Sequence, residues 1–208
     1  MPPKNIFQDG LIRGSIRLPH DPVKAYAYVE HPTEGWRVYL RSCAFLHDAS
    51  KPFSAKHFIV VKKTGASADG PNWEPPKGQM EGKDLGQKGP IMKYLIENVK
   101  REVEEEAAIY HIKDLKFTGL VFQDREDSYP PNWFFQYVIF QGFVEPKELN
   151  AAWEHFEWIE EHPKAFARFK RDRREKDAIA WYHDGKTKMF GSWSPHIVPY
   201  YLKAMRNK

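Results

Sequence analysis

Apolar and polar positions along this chain predict strands on either side of one long helix. Residues 24–29 (KAYAYV) and 37–40 (RVYL) read as strands, and HPTEG between them supplies a proline and glycine turn. Residues 57–61 (HFIVV) form a β-branched apolar run, followed by the turn-rich stretch KKTGASADGPN. The prolines and glycines of WEPPKGQMEGKD, residues 73–84, argue against regular structure there. Gly89-Pro90 then opens a helix expected over 90–108, because proline is tolerated in a first turn. Met92, Leu95, Val99, Val103 and Ala107 recur at steps of three and four and give that helix one apolar stripe. Residues 115–123 and 133–144 read as long strands, and 156–159 (FEWI) as a short one. A basic helix is expected over 163–175, and a last helix from about Ser194-Pro195, where Tyr200, Tyr201 and Leu202 dock on the body. Strands flanking a central helix with mixed connections predict an α/β sandwich. Its expected bounds are 20–178, with an N-terminal arm over 1–19 and a C-terminal helical extension over 179–208.

Composition narrows the class. With 41% hydrophobic and 15% aromatic residues in 208, the chain has material for a real core and is far from disordered. No run approaches the ~18 apolar residues of a membrane span. The N-terminus MPPKNIFQDG lacks an apolar signal segment, so an intracellular, cytoplasmic protein is expected. The single cysteine, Cys43, cannot form an internal disulfide and sits among apolar neighbours as a core thiol. It also rules out the common zinc arrangements, and the nine histidines are scattered.

Net charge is +4 but uneven. Between 164 and 176, Lys164, Arg168, Lys170, Arg171, Arg173, Arg174 and Lys176 face only Asp172 and Glu175, so the remainder of the chain is close to neutral. Such a face suits a phosphate-rich ligand or RNA, and equally an ordinary solvated helix.

The chemically pointed segment is Arg101-Glu102-Val103-Glu104-Glu105-Glu106. On a helix Glu102 lies beside Glu105 and Glu106, while Val103 turns inward with Val99 and Ala107. Like charges at that spacing repel unless a cation compensates, and hard oxygen ligands suit Mg²⁺ or Mn²⁺. A solvated acidic face is the alternative. Upstream, Pro75-Pro76-Lys77-Gly78 makes a rigid turn with a glycine where a phosphate or carbonyl can approach closely.

These residues together resemble the Nudix box, G-x5-E-x7-R-E-U-x-E-E-x-G-U with U bulky and aliphatic. Gly78 supplies the first glycine, Asp84 stands at the first acid, Arg101, Glu102, Val103, Glu105 and Glu106 match the centre, and Ile109 the end. WEPPKG with Glu81 is similar to the approach to the box in diadenosine tetraphosphate hydrolases. Three departures stand out. Sixteen residues separate Asp84 from Arg101 where the pattern has seven, Asp replaces Glu at 84, and Ala108 replaces the second glycine. Alanine there fits a helix that continues through the position. The inserted residues bear on substrate fit more than on ligand spacing.

The resemblance implies a Nudix-type α/β/α sandwich with a mixed sheet, and a metal-dependent hydrolase of phosphoanhydride bonds. It implies that Glu102, Glu105 and Glu106 bind Mg²⁺ or Mn²⁺, with Glu102 or Glu105 also a base for water. Arg101 is expected to pair with a box carboxylate and to leave the substrate alone. The Gly78 carbonyl is a further ligand, and Glu157 in FEWIEE resembles the extra carboxylate from outside the box, with Glu154 and Glu160 as alternatives. Lys77, Arg168, Lys170 and Arg171 are candidates for substrate phosphates, Lys77 being equally a loop lysine facing water. The substrate class favoured is a dinucleoside polyphosphate, with capped RNA, met by the basic helix over 164–176, and a diphosphoinositol compound as alternatives. Tyr129, Trp133, Phe134 and Phe135 either stack a base or fill the core. A non-catalytic nucleotide- or RNA-binding module of the same fold is the competing class.

Overall fold

The strands foreseen from alternation form, and most run further than their alternating stretch. The structure, a computed structural model, describes residues 2–18 and 21–206. Along these residues come β1 (Ile12–Leu18), β2 (Asp21–Glu30), β3 (Arg37–Asp48), β4 (Ile59–Lys63), β5 (Trp73–Glu74), β6 (Lys77–Gln79) and α1 (Ile91–Ala107). They are followed by β7 (Lys113–Asp124), β8 (Trp133–Val144), α2 (Pro146–Glu161), α3 (Pro163–Phe166), β9 (Lys176–Trp181) and α4 (Ser194–Met205). The architecture is mixed α/β with a mixed sheet, as expected. One sheet has the order β1-β2-β3-β8-β7 with β6 also on β3, and a second has the order β5-β4-β9. The expected boundary at 19–20 lies outside the described residues. Residues 12–18, read as an arm, form a strand paired antiparallel with β2, and β9 runs across position 178.

Three local readings are corrected. Residues 156–159, expected as a strand, belong to α2. Pro146 stands in its first turn, and Leu149, Ala152, Phe156 and Ile159 recur at helical spacing and are buried, a stripe longer than the four residues read as a strand. The basic helix over 163–175 does not form: α3 stops at Phe166 and a 3₁₀ turn covers Arg171–Arg174. Six like charges repel along a helix over 163–175, and Phe166 and Phe169 anchor the segment to the core. In WEPPKGQMEGKD, β5 and β6 flank the two prolines and a 3₁₀ turn follows at Gly82–Asp84. Proline lacks only the N–H, so Pro76 still offers its carbonyl to the Ala44 N–H at 2.9 Å.

The chain divides into two compact units: 1–43, 78–99 and 119–139 in the first, and 44–77, 100–118 and 140–208 in the second. In the first unit β2 pairs antiparallel with both neighbours, Ser15 opposite Ala27 and Val29 opposite Val38. A Cβ at Gly14 would come within 2.4 Å of the Tyr28 hydroxyl, so only glycine lets that ring lie across β1. The Arg37 guanidinium sits 3.8 Å from the Tyr28 ring and 4.3 Å from the Trp133 ring and donates to Glu30 at 2.6 Å and 2.8 Å. Tyr129 packs 5.1 Å from Tyr39, and Phe134 and Phe135 are buried. Tyr129, Phe134 and Phe135 are thus core residues, and the half-buried Trp133 packs 5.8 Å from Tyr39.

In the second unit Cys43's neighbours continue into Ala44, Phe45 and Leu46, all fully buried. Tyr201 of α4 stacks on Phe45 with ring centroids 3.6 Å apart and is itself fully buried. Leu202 is buried beside it, while Tyr200 is exposed. His47 Nδ1 donates to the His57 carbonyl at 2.8 Å, which leaves Nε2 to accept the Tyr201 hydroxyl at 2.9 Å.

Burial holds the His47 imidazole neutral, down to about 4 against the hydrogen bond to His57. The unfolded chain takes up that proton near pH 6.5, so the stability from a neutral His47 is complete above 6.5 and is lost as pH falls towards 4. The full loss amounts to about 3 kcal/mol. Urea unfolding at pH 7 and pH 4.5 should show this acid loss, and His47→Gln should flatten it. An equally steep loss in the variant would place its origin elsewhere.

Candidate active site

The second half of α1 builds the site. Val103 and Ala107 are fully buried, and this fixes the helix rotation that lays Glu102, Glu105 and Glu106 along a neighbouring face. The helix ends at Ala107, and Ala108 takes a left-handed φ of 53°. The expectation that the helix continues through Ala108 is therefore corrected. A non-glycine residue there costs about 1–2 kcal/mol, and Ala108 is held by packing among Phe156, Ile159 and Phe166.

Arg101 reaches back along its own helix. Its Nη2 bonds Glu102 Oε1 at 2.5 Å and its Nη1 bonds Glu105 Oε2 at 2.6 Å. It thus pairs with two carboxylates of the cluster. Burial pushes the Glu102 carboxyl up to about 8; Arg101 opposes this, and Glu106, Glu105 and Glu175 add to it. Glu175 therefore acts on Glu102 from outside the helix, on the turn before β9. Arg173, on the same turn, bonds Glu104 at 2.6 Å.

Glu106 is paired differently. Its Oε1 meets the Lys176 ammonium at 2.9 Å and its Oε2 accepts the Lys77 N–H at 2.9 Å. Lys176 also bonds Glu74 Oε1, while Lys77 Nζ lies 2.6 Å from Glu74 Oε2. Burial raises the Glu106 carboxyl, which Glu74 reinforces and Lys176 opposes. At Glu74 burial also pushes upward, but the Lys77 and Lys176 ammoniums overcome it and hold that carboxyl at about 2. Burial lowers Lys176, yet Glu106 and Glu74 more than reverse this and keep it charged.

The small sheet explains how Glu74 and Lys176 meet. Strand β4 lies between β5 and β9, with Val61 opposite Glu74 and Lys63 opposite Lys176. The loop after β4 clamps the turn before β9. Thr64 N–H donates to the Glu175 carbonyl at 2.9 Å, Thr64 Oγ1 to the Arg174 carbonyl at 2.7 Å, and Gly65 N–H to Asp177 at 2.7 Å.

The remaining expected residues are placed as follows. Lys77 faces a carboxylate rather than water. Gly78 is the central residue of β6, which pairs with β3. Glu157, with Glu154 and Glu160, stands on α2 rather than on a strand, and Glu157 is exposed. Arg168, Lys170 and Arg171 are exposed along the turn that leads towards β9. Glu74 and Glu175 were given no role from sequence, and Lys176 only a place in the basic face over 164–176. Glu74 lay inside the quoted WEPPKG run, and Lys176 was counted as a surface charge because the start of β9 was taken for the end of a basic helix.

Among the described residues no three histidine, cysteine or acidic side chains form a ready-made metal cage. The ion pairs show why: Arg101 draws Glu102 and Glu105 to itself, and Lys176 draws Glu106 to Glu74. The carboxylate oxygens of Glu102, Glu105, Glu106 and Glu74 are hard donors of the chemistry that Mg²⁺ or Mn²⁺ takes.

No protein-family model matches the chain, and no curated protein matches it. Among solved structures it is similar to a NUDIX hydrolase from Nitrosomonas europaea, at 14% identity over 80% of this chain and 88% of that one, with a TM-score of 0.45. It is also similar to a mutT/nudix family protein from Listeria innocua, at 18% identity over 81% and 94%, TM-score 0.43. A third is a MutT NUDIX hydrolase from Burkholderia pseudomallei, at 13% identity over 81% and 98%, TM-score 0.42.

Proposed function

We propose that this chain is a divalent-metal-dependent Nudix-type hydrolase that cleaves a phosphoanhydride bond in a nucleoside-polyphosphate substrate, with dinucleoside polyphosphates favoured. The observation that carries the reading is Glu102: a buried carboxyl raised to about 8 beside Glu105, Glu106 and Glu175. An acidic helix serving structure alone has no reason to bury that group at such cost.

Glu102 and Glu105 are the residues we assign to Mg²⁺ or Mn²⁺, with Glu175 the contributor from outside the helix. When bound, such a cation supplies charge neutralisation at the phosphate and acidifies water. Arg101 holds Glu102 and Glu105 side by side and so limits their rotamers. Glu105 has the more exposed side chain of the two and takes the proton of the attacking water. Water oxygen bonds to phosphorus, the bridging P–O bond breaks, and the second phosphate leaves with that oxygen. Arg168, Lys170 and Arg171 meet the substrate's remaining phosphates as exposed cations. The WEPPKG run favours a dinucleoside polyphosphate by resemblance.

The test is a Mg²⁺ and Mn²⁺ hydrolysis panel of diadenosine tetraphosphate, capped RNA and a diphosphoinositol phosphate, with Glu105→Gln as control. Cleavage of diadenosine tetraphosphate, lost on chelation and in the variant, is expected. Cleavage of another member alone would keep the chemistry and change the substrate. Tight nucleotide or RNA binding without turnover, unchanged by the variant, would replace the enzyme with a binding module.

A further inference from the structure

We propose that the pocket between the loop after β4 and the turn before β9 is a nucleotide subsite: its apolar floor takes a base and ribose, and Arg174 at its lip takes the adjoining phosphate. This deepens the function proposed above, and the choice of a nucleotide rests on that reading.

The pocket measures about 660 Å³ and lies wholly within the second unit. Small-molecule sites fall at about 300–1,000 Å³, are mostly apolar and carry a few fixed polar groups. Here Ile159 and Phe166 of the buried cluster form the floor, with Pro163 beside them. Ala68, Ala167 and Ala178 line the rest, small side chains that leave the space open. One wall is polar and already braced. Lys62 donates to the Ala66 carbonyl at 2.7 Å and meets Asp177 at 2.6 Å, and Asp177 also accepts the Gly65 N–H at 2.7 Å. These charges satisfy one another, so the wall presents a polar but neutral edge. The faces of a base suit such a floor, and its hydrogen-bonding edge suits such a wall.

Arg174 is the cation left over at the lip. It is exposed, and among the described contacts one of its five N–H donors is spent, on the Ala167 carbonyl at 3.0 Å. Its guanidinium therefore keeps donors for phosphate oxygens. Glu160 also lines the pocket, as an exposed carboxylate. It repels phosphate and accepts hydroxyl or amino hydrogens, so it suits the ribose or base. The turn that carries Arg174 also links the pocket to the carboxylates of α1. Arg173 bonds Glu104 at 2.6 Å and Glu175 acts on Glu102, while Arg174 between them lines the pocket. A substrate with its nucleoside in the pocket thus starts its phosphates at the turn that meets Glu102 and Glu104.

The experiment is calorimetric titration of the full chain with AMP and with adenosine, in chelator. Wild type should bind AMP with a dissociation constant below about 1 mM, and adenosine about tenfold more weakly or worse. Ala68 and Ala167 are exposed and line the pocket from two elements, so leucine at either should fill it without disturbing the core. Ala68→Leu and Ala167→Leu should each weaken both ligands by about tenfold. Arg174→Met should bring AMP down to the level of adenosine and leave adenosine unchanged, a selectivity that a merely structural arginine would not give. Arg174→Lys should restore part of the loss. The proposal is overturned if wild type binds no AMP, if AMP and adenosine bind alike, or if Arg174→Met weakens both equally. It is also overturned if both leucine variants fold and bind AMP as wild type does; should they misfold, Arg174→Met decides alone. Hydrolysis of diadenosine tetraphosphate is scored separately. AMP binding of this pattern without turnover would overturn the hydrolase and keep the pocket, whereas turnover without AMP binding would overturn the pocket alone.

Discussion

Glu102→Gln is expected to lower divalent-dependent kcat by about 10³-fold or more while leaving the protein at least as stable as wild type in the absence of metal. The two halves of that expectation come from one cause. A buried carboxyl near three others is costly to the fold, because burial and the neighbouring negative charges both oppose its ionised form. Glutamine keeps the shape and is neutral without holding a proton that the unfolded chain releases, so the apo protein loses that cost, and Arg101 retains Glu105 as its partner at 2.6 Å. The same change removes a hard anionic donor for the metal, and a neutral amide is a poor substitute. Activity assays and urea unfolding in chelator check the pair of effects. A variant that keeps more than about a tenth of wild-type turnover would remove Glu102 from the chemistry. A clear loss of apo stability would mean that its carboxylate is satisfied by contacts other than those described.

Tyr201→Ala should cost about 3–5 kcal/mol of stability, the largest fold effect expected from any single change discussed. The ring is fully buried and stacked 3.6 Å from Phe45, and its hydroxyl bonds His47. Truncation leaves a cavity beneath α4 and also strips the neutral His47 of its donor, a buried polar loss added to the packing loss. Tyr201→Phe separates the two: it keeps the stack, removes the hydroxyl and should cost about 1 kcal/mol. Denaturant unfolding of the three proteins checks this. Comparable small losses in both variants would show that α4 docks through other residues. Since Ser194 at the start of the same helix bonds Glu74, a loosened α4 should also be felt at the carboxylate cluster.

The rotation of α1 and the grouping of its glutamates were legible in the residues themselves. Leu95, Val99, Val103 and Ala107 at helical spacing are all buried, and helix geometry then sets which glutamates share a face. The strands at 24–29, 37–40, 57–61, 115–123 and 133–144 were legible for the same reason, since period and β-branched content are local properties. The final helix from Ser194 and the burial of Tyr201 and Leu202 also followed from local pattern.

Other features rest on partners distant in the chain. FEWI, taken alone, has a strand's composition, and it becomes part of α2 because its stripe of Leu149, Ala152, Phe156 and Ile159 finds a core to cover. Ala108 fits a continuing helix by propensity, yet packing against Phe156 and Phe166 holds it in the left-handed region where the helix stops. The basic segment has the charge of a solvated helix but is cut into short turns by its anchors, Arg173 on Glu104 and Thr64 on the Arg174 and Glu175 carbonyls. The pairing of Lys176 with Glu74 spans 102 residues and exists only because β4 brings β5 and β9 to either side of itself. The sequence by itself determined which carboxylates stand together on one helix, because that depends on a fixed turn of the backbone. Only the tertiary structure decided that Lys176 meets Glu74 and Glu106, because register between strands is set by the core they jointly bury.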